Sequence, residues 1–375
     1  MRTLSIFATA GLTISLAGCG DDNAAEGESE AEAEAESEAE ACAGFDEDGN
    51  ADLCEPESGF QIETPAFAVE VGQEVQNCYF FTIPGDEELW VNRIEIVQND
   101  GTHHMNVFRV NTVVNLGTEA DIAAGAVEGG ECWTSPNWAD WPMVINSQES
   151  RPEDASNPDD PESTGGHFDW QLPENVAQRF EPGEVIMLQS HYVNVGAGDQ
   201  LTPSGVGKAV VNFYTVPASS DLMELGTAFA TNQSICICPD DGGVTFESSC
   251  QLAQDDETVT IIAANSHFHS RGDLFTISVI DAEGDASEPF YESDTWDDPP
   301  MARGLEIPIP AGGGVHYACS YHLEDDECGT ETRNPNNGCV SDDPCCMTFG
   351  GHVENQEHCN IFVFYYPKTR DVGCF

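Results

Sequence analysis

The stretch Val185-Ile186-Met187-Leu188-Gln189-Ser190-His191-Tyr192-Val193 decides the fold class. It is a short, largely apolar run without a helical period, and runs of the same kind recur after residue 58. They include Ala66–Val71, Leu89–Val97, Met105–Val110, Lys208–Val216, Thr258–Ala264, Leu274–Ile280 and Asn360–Tyr366. Gly, Pro, Asn and Asp punctuate them, as turns between β-strands require. Many short strands without long helices predict an all-β fold of antiparallel sandwiches. A boundary near Val216-Pro217 divides the body into 59–216 and 217–375, each long enough for one sandwich. Asn146–Gly166, rich in Ser, Pro and Asp, reads as a long polar loop.

The chain has 375 residues, with 68 Asp plus Glu against 11 Lys plus Arg, for a formal charge of −57. Phosphate binding needs a basic face, so the charge argues against nucleic acid as a partner. At the start, Arg2 and the apolar stretch Leu4–Ala17 have the makings of a signal peptide over residues 1–18, too short to span a bilayer. Its end, Leu16-Ala17-Gly18-Cys19, resembles the lipobox of bacterial lipoproteins, which implies a lipid on Cys19 and a membrane anchor. An ordinary signal peptide with a chance Cys is the alternative. The location expected is extracytoplasmic, lipid-anchored to a bacterial membrane.

Residues 19–58 read as an acidic, disordered stalk. Between Asp21 and Glu57 lie 16 acidic residues and no basic one, and self-repulsion keeps such a run extended. Residues 58–375 still hold 52 acidic against 10 basic residues, so the folded body is acidic too. Within the stalk, Asp46, Asp48 and Asp52 around Gly49 begin a calcium-loop pattern between Cys42 and Cys54. Calcium in the linker and a merely solvated acidic run both fit this pattern.

Fifteen Cys argue against a reducing compartment. Setting Cys19 aside leaves 14, an even number consistent with disulfides. A metal site at Cys345-Cys346 or Cys236-Ile237-Cys238 is the alternative use of those residues. Hydrolase and phosphate-loop signatures of the Gly-x-Ser-x-Gly, His-Glu-x-x-His and Walker types are absent. Trp133, Trp138, Trp141 and Trp170 are expected to pack in the core rather than line a pocket.

Six of the ten His fall into two groups. Thr102-His103-His104-Met105 and Gln189-Ser190-His191-Tyr192 lie in the first half. His267-Phe268-His269 and Glu357-His358-Cys359 lie in the second. On a strand, His267 and His269 point to the same face and can converge on one ion. His103 and His104 would point to opposite faces, so joint ligation needs a bulge there. Imidazole suits Zn, Cu, Ni and Fe, and spacing alone does not choose among them.

Taken in order, His103-His104-Met105, Leu188-Gln189-Ser190-His191-Tyr192-Val193-Asn194, His267-Phe268-His269-Ser270-Arg271-Gly272 and Glu357-His358-Cys359-Asn360 resemble the type II copper, ascorbate-dependent monooxygenases. That family includes the peptidylglycine α-hydroxylating and dopamine β-monooxygenases, and the likeness covers roughly residues 60–370. It implies two jelly-roll-like domains, each with one copper, facing across a solvent-filled cleft. His103, His104 and His191 would hold the electron-transferring copper. His267, His269 and His358 would hold the copper where O2 and substrate react, with ascorbate or another reductant reloading both ions. Cys319–Cys359 and Cys78–Cys132 are the disulfides implied.

The sequence departs from the family pattern in two places. His358 stands where the second copper usually has a Met. A third imidazole favours Cu(II) over Cu(I) and lowers the reduction potential. Met347 is a less suitable substitute, and His322 and His352 are spares with surface or supporting roles. The peptide-carboxylate grip is also missing: Asn265 and Phe362 occupy those positions, so peptide amidation is not expected. The acidic surface favours a neutral or cationic small-molecule substrate. The expected function is hydroxylation of a substrate C–H bond with O2 and a reductant. The alternatives are a non-catalytic copper-binding or electron-transfer surface lipoprotein and, more remotely, a calcium-dependent adhesin.

Overall fold

The computed structural model describes residues 43–46, 49–99, 101–111, 126–127, 141–148, 167–194, 205–239, 243–296, 299–323, 345–351, 353, 356–370 and 372–374. The chain is all-β, with no helix among the described residues. Alternation and β-branched content place the strands where the sequence puts them. The run at Val185–Val193 becomes the strand Val185–Asn194, and Asn360–Tyr366 is a strand over its whole length. Ala66–Val71 shrinks to Phe67–Ala68, which pairs with Val206–Gly207 in a small sheet.

One sheet of the first half is ordered Met223–Glu224, Val176–Phe180, Leu89–Gln98, Ala209–Val216, Gly59–Glu63, with His167–Gln171 also on the Leu89–Gln98 strand. Its partner sheet is ordered Ala126–Val127, Gln73–Thr82, Val185–Asn194, Thr102–Arg109, Met143–Ser147. Phe60 stacks on Phe213 at 4.6 Å and meets Phe180 edge-on at 6.0 Å, within a core that also takes Met105, Val107, Ile186 and Leu188. Each fully buried aromatic contributes about 1.5–3 kcal/mol, so this cluster anchors the half.

In the second half, Ala302–Ile309, Val259–His267, Asn360–Tyr366, Gly226–Thr231 and Val372–Cys374 form one sheet. Val244–Gln251, Gly314–Tyr321, Gly272–Ile280 and Ala286–Ser293 form another, and Cys236–Ile237, Met347–Phe349 and Gln356–Glu357 a third. Phe275, Tyr317, Phe268 and Ile261 fill the core. Disulfides Cys250–Cys374, Cys319–Cys359 and Cys238–Cys346 stitch these strands. Cys54, Cys78, Cys236 and Cys345 are disulfide-bonded as well. Cys132, the expected partner of Cys78, lies outside the described residues, as do Trp133 and Trp138. Trp141 and Trp170 are buried in the core.

The expected arrangement as two self-contained jelly rolls is corrected. Among the described residues, five sheets of three or more strands belong to one compact unit, Cys42–Phe375. The reason is an apolar seam: Phe229, Ile262, Met301, Phe362 and Phe364 belong to the core of the first half. Phe364 meets Trp170 at 5.1 Å, and Phe229 lies 6.5 Å from Phe108. Polar clasps flank the seam: Thr227 Oγ1 donates to Met143 O at 2.6 Å, and Lys368 Nζ to Glu224 Oε1 at 3.0 Å.

The stalk expectation is corrected at its C-terminal end. Ala43–Phe45 and Ala51–Leu53 form a hairpin, and Ala51 and Leu53 pack on Val97 and Val210. Asp46 Oδ1 accepts from the backbone N–H of Asn50 at 2.8 Å and closes the turn. Glu47, Asp48 and the Cys19 segment lie outside the described residues. No helix among the described residues is long and apolar enough to cross a membrane.

Candidate metal centre

The strand Thr102–Arg109 pairs with Val185–Asn194 with a register shift: His104 faces His191 and Thr102 faces Tyr192, leaving His103 as the extra residue. This is the bulge that adjacent ligands require, since one added residue turns both imidazoles toward the same side. Gly101, at φ +82°, makes the turn into this strand, a conformation that other residues adopt only at a cost. The ring centroids of His103, His104 and His191 lie 4.8 to 5.2 Å apart.

His267 closes the strand Val259–His267, and His269 follows two residues later, their centroids 5.1 Å apart. Phe268 between them points into the core and stacks on Phe275. His358, just before the Asn360–Tyr366 strand, lies 5.0 Å from His267 and 4.5 Å from His269. The Cys319–Cys359 bridge and the Tyr321 hydroxyl, which donates to His358 O, fix the third residue.

The two groups do not face each other across a cleft. His103 and His104 each lie 4.9 Å from His267 between ring centroids, so all six imidazoles are contiguous. The clasp at the seam is responsible. Gln148 Nε2 donates to Ser266 O at 2.7 Å, His267 Nδ1 lies 2.9 Å from Gln148 Oε1, and Asn265 donates to Asn146. Asn146 to Gln148, expected in a polar loop, are therefore ordered and buried beside the histidines.

Supporting contacts set which nitrogen three of the rings present. His191 Nε2 lies 2.8 Å from Glu74 Oε1, which leaves Nδ1 facing His104 Nε2 at 3.1 Å. Two nitrogens ~2.0–2.1 Å from one ion are ~2.9–3.3 Å apart for right-angled to tetrahedral geometry, so this spacing fits a shared metal. His269 Nδ1 is held by Gln356 O at 2.8 Å, and Gln148 holds His267 in the same way. A carbonyl or carboxylate on one ring nitrogen fixes the tautomer that offers the other to a metal. Among the described residues, His103 Nε2, His267 Nε2 and His358 Nδ1 are buried without a hydrogen-bond partner. Ligand nitrogens of His103, His104 and His267 lie within 4.8 Å of one another, and those of His267, His269 and His358 do likewise.

Burial, and then the neighbouring imidazoles, hold His103, His104, His267 and His358 well below the ordinary histidine range. They are neutral at pH 7, the form that binds a cation. Glu357 is pushed up to about 8 by burial, opposed by the N–H groups of Arg271 and His269 that its carboxylate accepts at 2.8 Å. It braces the turn between His269 and Arg271.

Met347 is buried in the core of the second half. His167 pairs with Glu95 and His316 with Ser249, His322 is outside both triads, and His352 is outside the described residues. Cys236, Cys238 and Cys346 also cluster, but Cys238–Cys346 is a disulfide and Cys236 is disulfide-bonded, so no free thiolate serves a metal. Glu74, Gln148 and Gln356 were not among the residues expected from the sequence. Nothing local marks them: Glu74 meets His191 through strand pairing, Gln148 meets His267 across the seam, and Gln356 reaches His269 through its backbone carbonyl.

No family model and no curated protein matches the chain. Among solved structures, the infectious bursal disease virus Gx strain is similar at 11% identity and a TM-score of 0.20, covering 84% of this chain and 74% of that one. The PBSX exported protein XepA is similar at 8% identity and a TM-score of 0.19, covering 74% and 96%. The CBM22-1-CBM22-2 tandem domain of Paenibacillus barcinonensis Xyn10C is similar at 8% identity and a TM-score of 0.18, covering 81% and 83%.

Proposed function

We propose that the six histidines form a copper centre and that the protein is a copper-dependent monooxygenase hydroxylating a C–H bond of an organic substrate. One observation carries the reading: buried nitrogens of His103, His267 and His358 that have no partner among the described residues, amid six contiguous imidazoles. A buried polar atom left without a partner costs about 1–3 kcal/mol, which a bound cation would offset. Bound copper would supply the one-electron redox chemistry that zinc cannot. One O2, two electrons and two protons convert C–H to C–OH and water, and a reductant of the ascorbate class supplies the electrons.

His103, His104 and His191 would hold one ion and His267, His269 and His358 the other. Glu74, Gln148 and Gln356 O keep three of these rings oriented. Asn265 is clasped to Asn146 and Phe362 stacks on Phe229 at 5.3 Å, so neither offers a peptide carboxylate a partner. The substrate class that fits is neutral or cationic. The disulfides support an oxidising, extracytoplasmic location, and anchoring through Cys19 is part of the same proposal.

The second reading is a copper-holding or electron-transfer lipoprotein, favoured by the imidazole of His358 in the thioether position. Copper-loaded protein with ascorbate and a panel of amines, phenols and neutral hydrocarbons separates the two. Substrate-dependent O2 consumption with labelled oxygen in the product supports the enzyme. No coupled turnover on any of them, with His358→Met gaining it, supports the second reading.

A further inference from the structure

We infer that the six histidines hold their two ions as one close, interacting pair with His267 at the junction, and not as two independent sites. The inference rests on the two-copper reading above and goes beyond it. His267 has a ligand nitrogen within 4.8 Å of those of His103 and His104, and equally of those of His269 and His358. Among the described residues it is common to the two close groupings, His103 with His104 and His267, and His267 with His269 and His358. Its ring lies 4.9 Å from His103 and His104, 5.1 Å from His269 and 5.0 Å from His358 between centroids, so it sits between the two groups. His103 likewise approaches His269, at 5.6 Å.

The closeness is built in. Gln148 of the first half bonds both the ring of His267 and the carbonyl of Ser266, and Asn265 is clasped to Asn146. These groups are buried, and opening the seam would strand each of them without a partner, at about 1–3 kcal/mol apiece. The apolar contact of Trp170 with Phe364 resists the same motion.

The test is paramagnetic resonance on the full chain loaded with Cu(II), together with copper titration of His267→Ala. At two Cu(II) per chain, the wild type should show lost intensity or a half-field signal from interacting spins. Two unbroadened signals integrating to two spins would overturn the inference while leaving the copper reading intact. A chain that takes up no second copper fails that reading instead, and the inference with it. His267→Ala should weaken binding of both equivalents at least tenfold. Loss of one equivalent with the other unchanged would overturn the shared position. Should the variant not fold, judged by its thermal melt, the wild-type spectrum decides alone.

Discussion

Gln148 tests how the centre is held. It accepts from His267 Nδ1 at 2.9 Å and donates to Ser266 O at 2.7 Å, with 2% of its surface exposed. Gln148→Leu removes both bonds and leaves the ring N–H and the carbonyl buried. At about 1–3 kcal/mol for each stranded group, stability should fall by about 2–6 kcal/mol. Losing the contact that orients a ligand typically weakens metal binding about 10–100-fold. Gln148→Glu separates these effects. Its carboxylate still accepts from His267 but cannot donate to Ser266 O, so stability should fall while copper affinity is largely kept. Urea denaturation of the metal-free chain and chelator competition read the two quantities. If both variants lose stability and both keep wild-type copper affinity, Gln148 only joins the halves and its positioning role is refuted.

Four further outcomes follow from the same geometry. His358→Met replaces an imidazole with a soft thioether, so the reduction potential should rise in a redox titration; an unchanged potential would place His358 off the metal. Gly272→Ala puts a Cβ 1.8 Å from Phe268 Cδ2, between the two ligands His267 and His269. It should cost about 1–3 kcal/mol by overpacking and loosen copper binding, and an unaltered denaturation midpoint would contradict the packing. Replacing Cys319 and Cys359 by Ser opens a 40-residue loop, worth about 4 kcal/mol in the chain-entropy account, measured as a lower denaturant midpoint. Acid should destabilise the metal-free chain. His103, His104, His267 and His358 titrate below their unfolded value, so stability is present above pH ~6.5 and falls by up to ~1.4 kcal/mol per pH unit for each below it. Glu357, raised to about 8, acts oppositely but is one group against four. Equal stability at pH 7.5 and 5.5 in chelator would refute this.

Strand positions were legible because a short apolar run bounded by turn residues is a local signal: Asn360–Tyr366 and Val185–Val193 carry it in adjacent residues. The bulge at His103 was legible too, since two adjacent residues cannot otherwise share a face. The union of the two histidine groups was not. It depends on Phe229, Phe362 and Phe364 joining the core of the first half, and an apolar side chain does not announce which core it joins. Asn146 and Gln148 were hidden by their polarity, because a carboxamide reads alike in a solvated loop and a buried clasp. Glu74 was one of many carboxylates in an acidic chain, and only its pairing opposite Val193 brings it to His191.

The most direct test of the central claim is the metal content of the full chain, isolated without added metal and measured by elemental mass spectrometry. Two copper ions per chain, lost together with His103 and His267 when both are replaced by Ala, is the result predicted. One ion per chain, or zinc filling the histidines in place of copper, would contradict it.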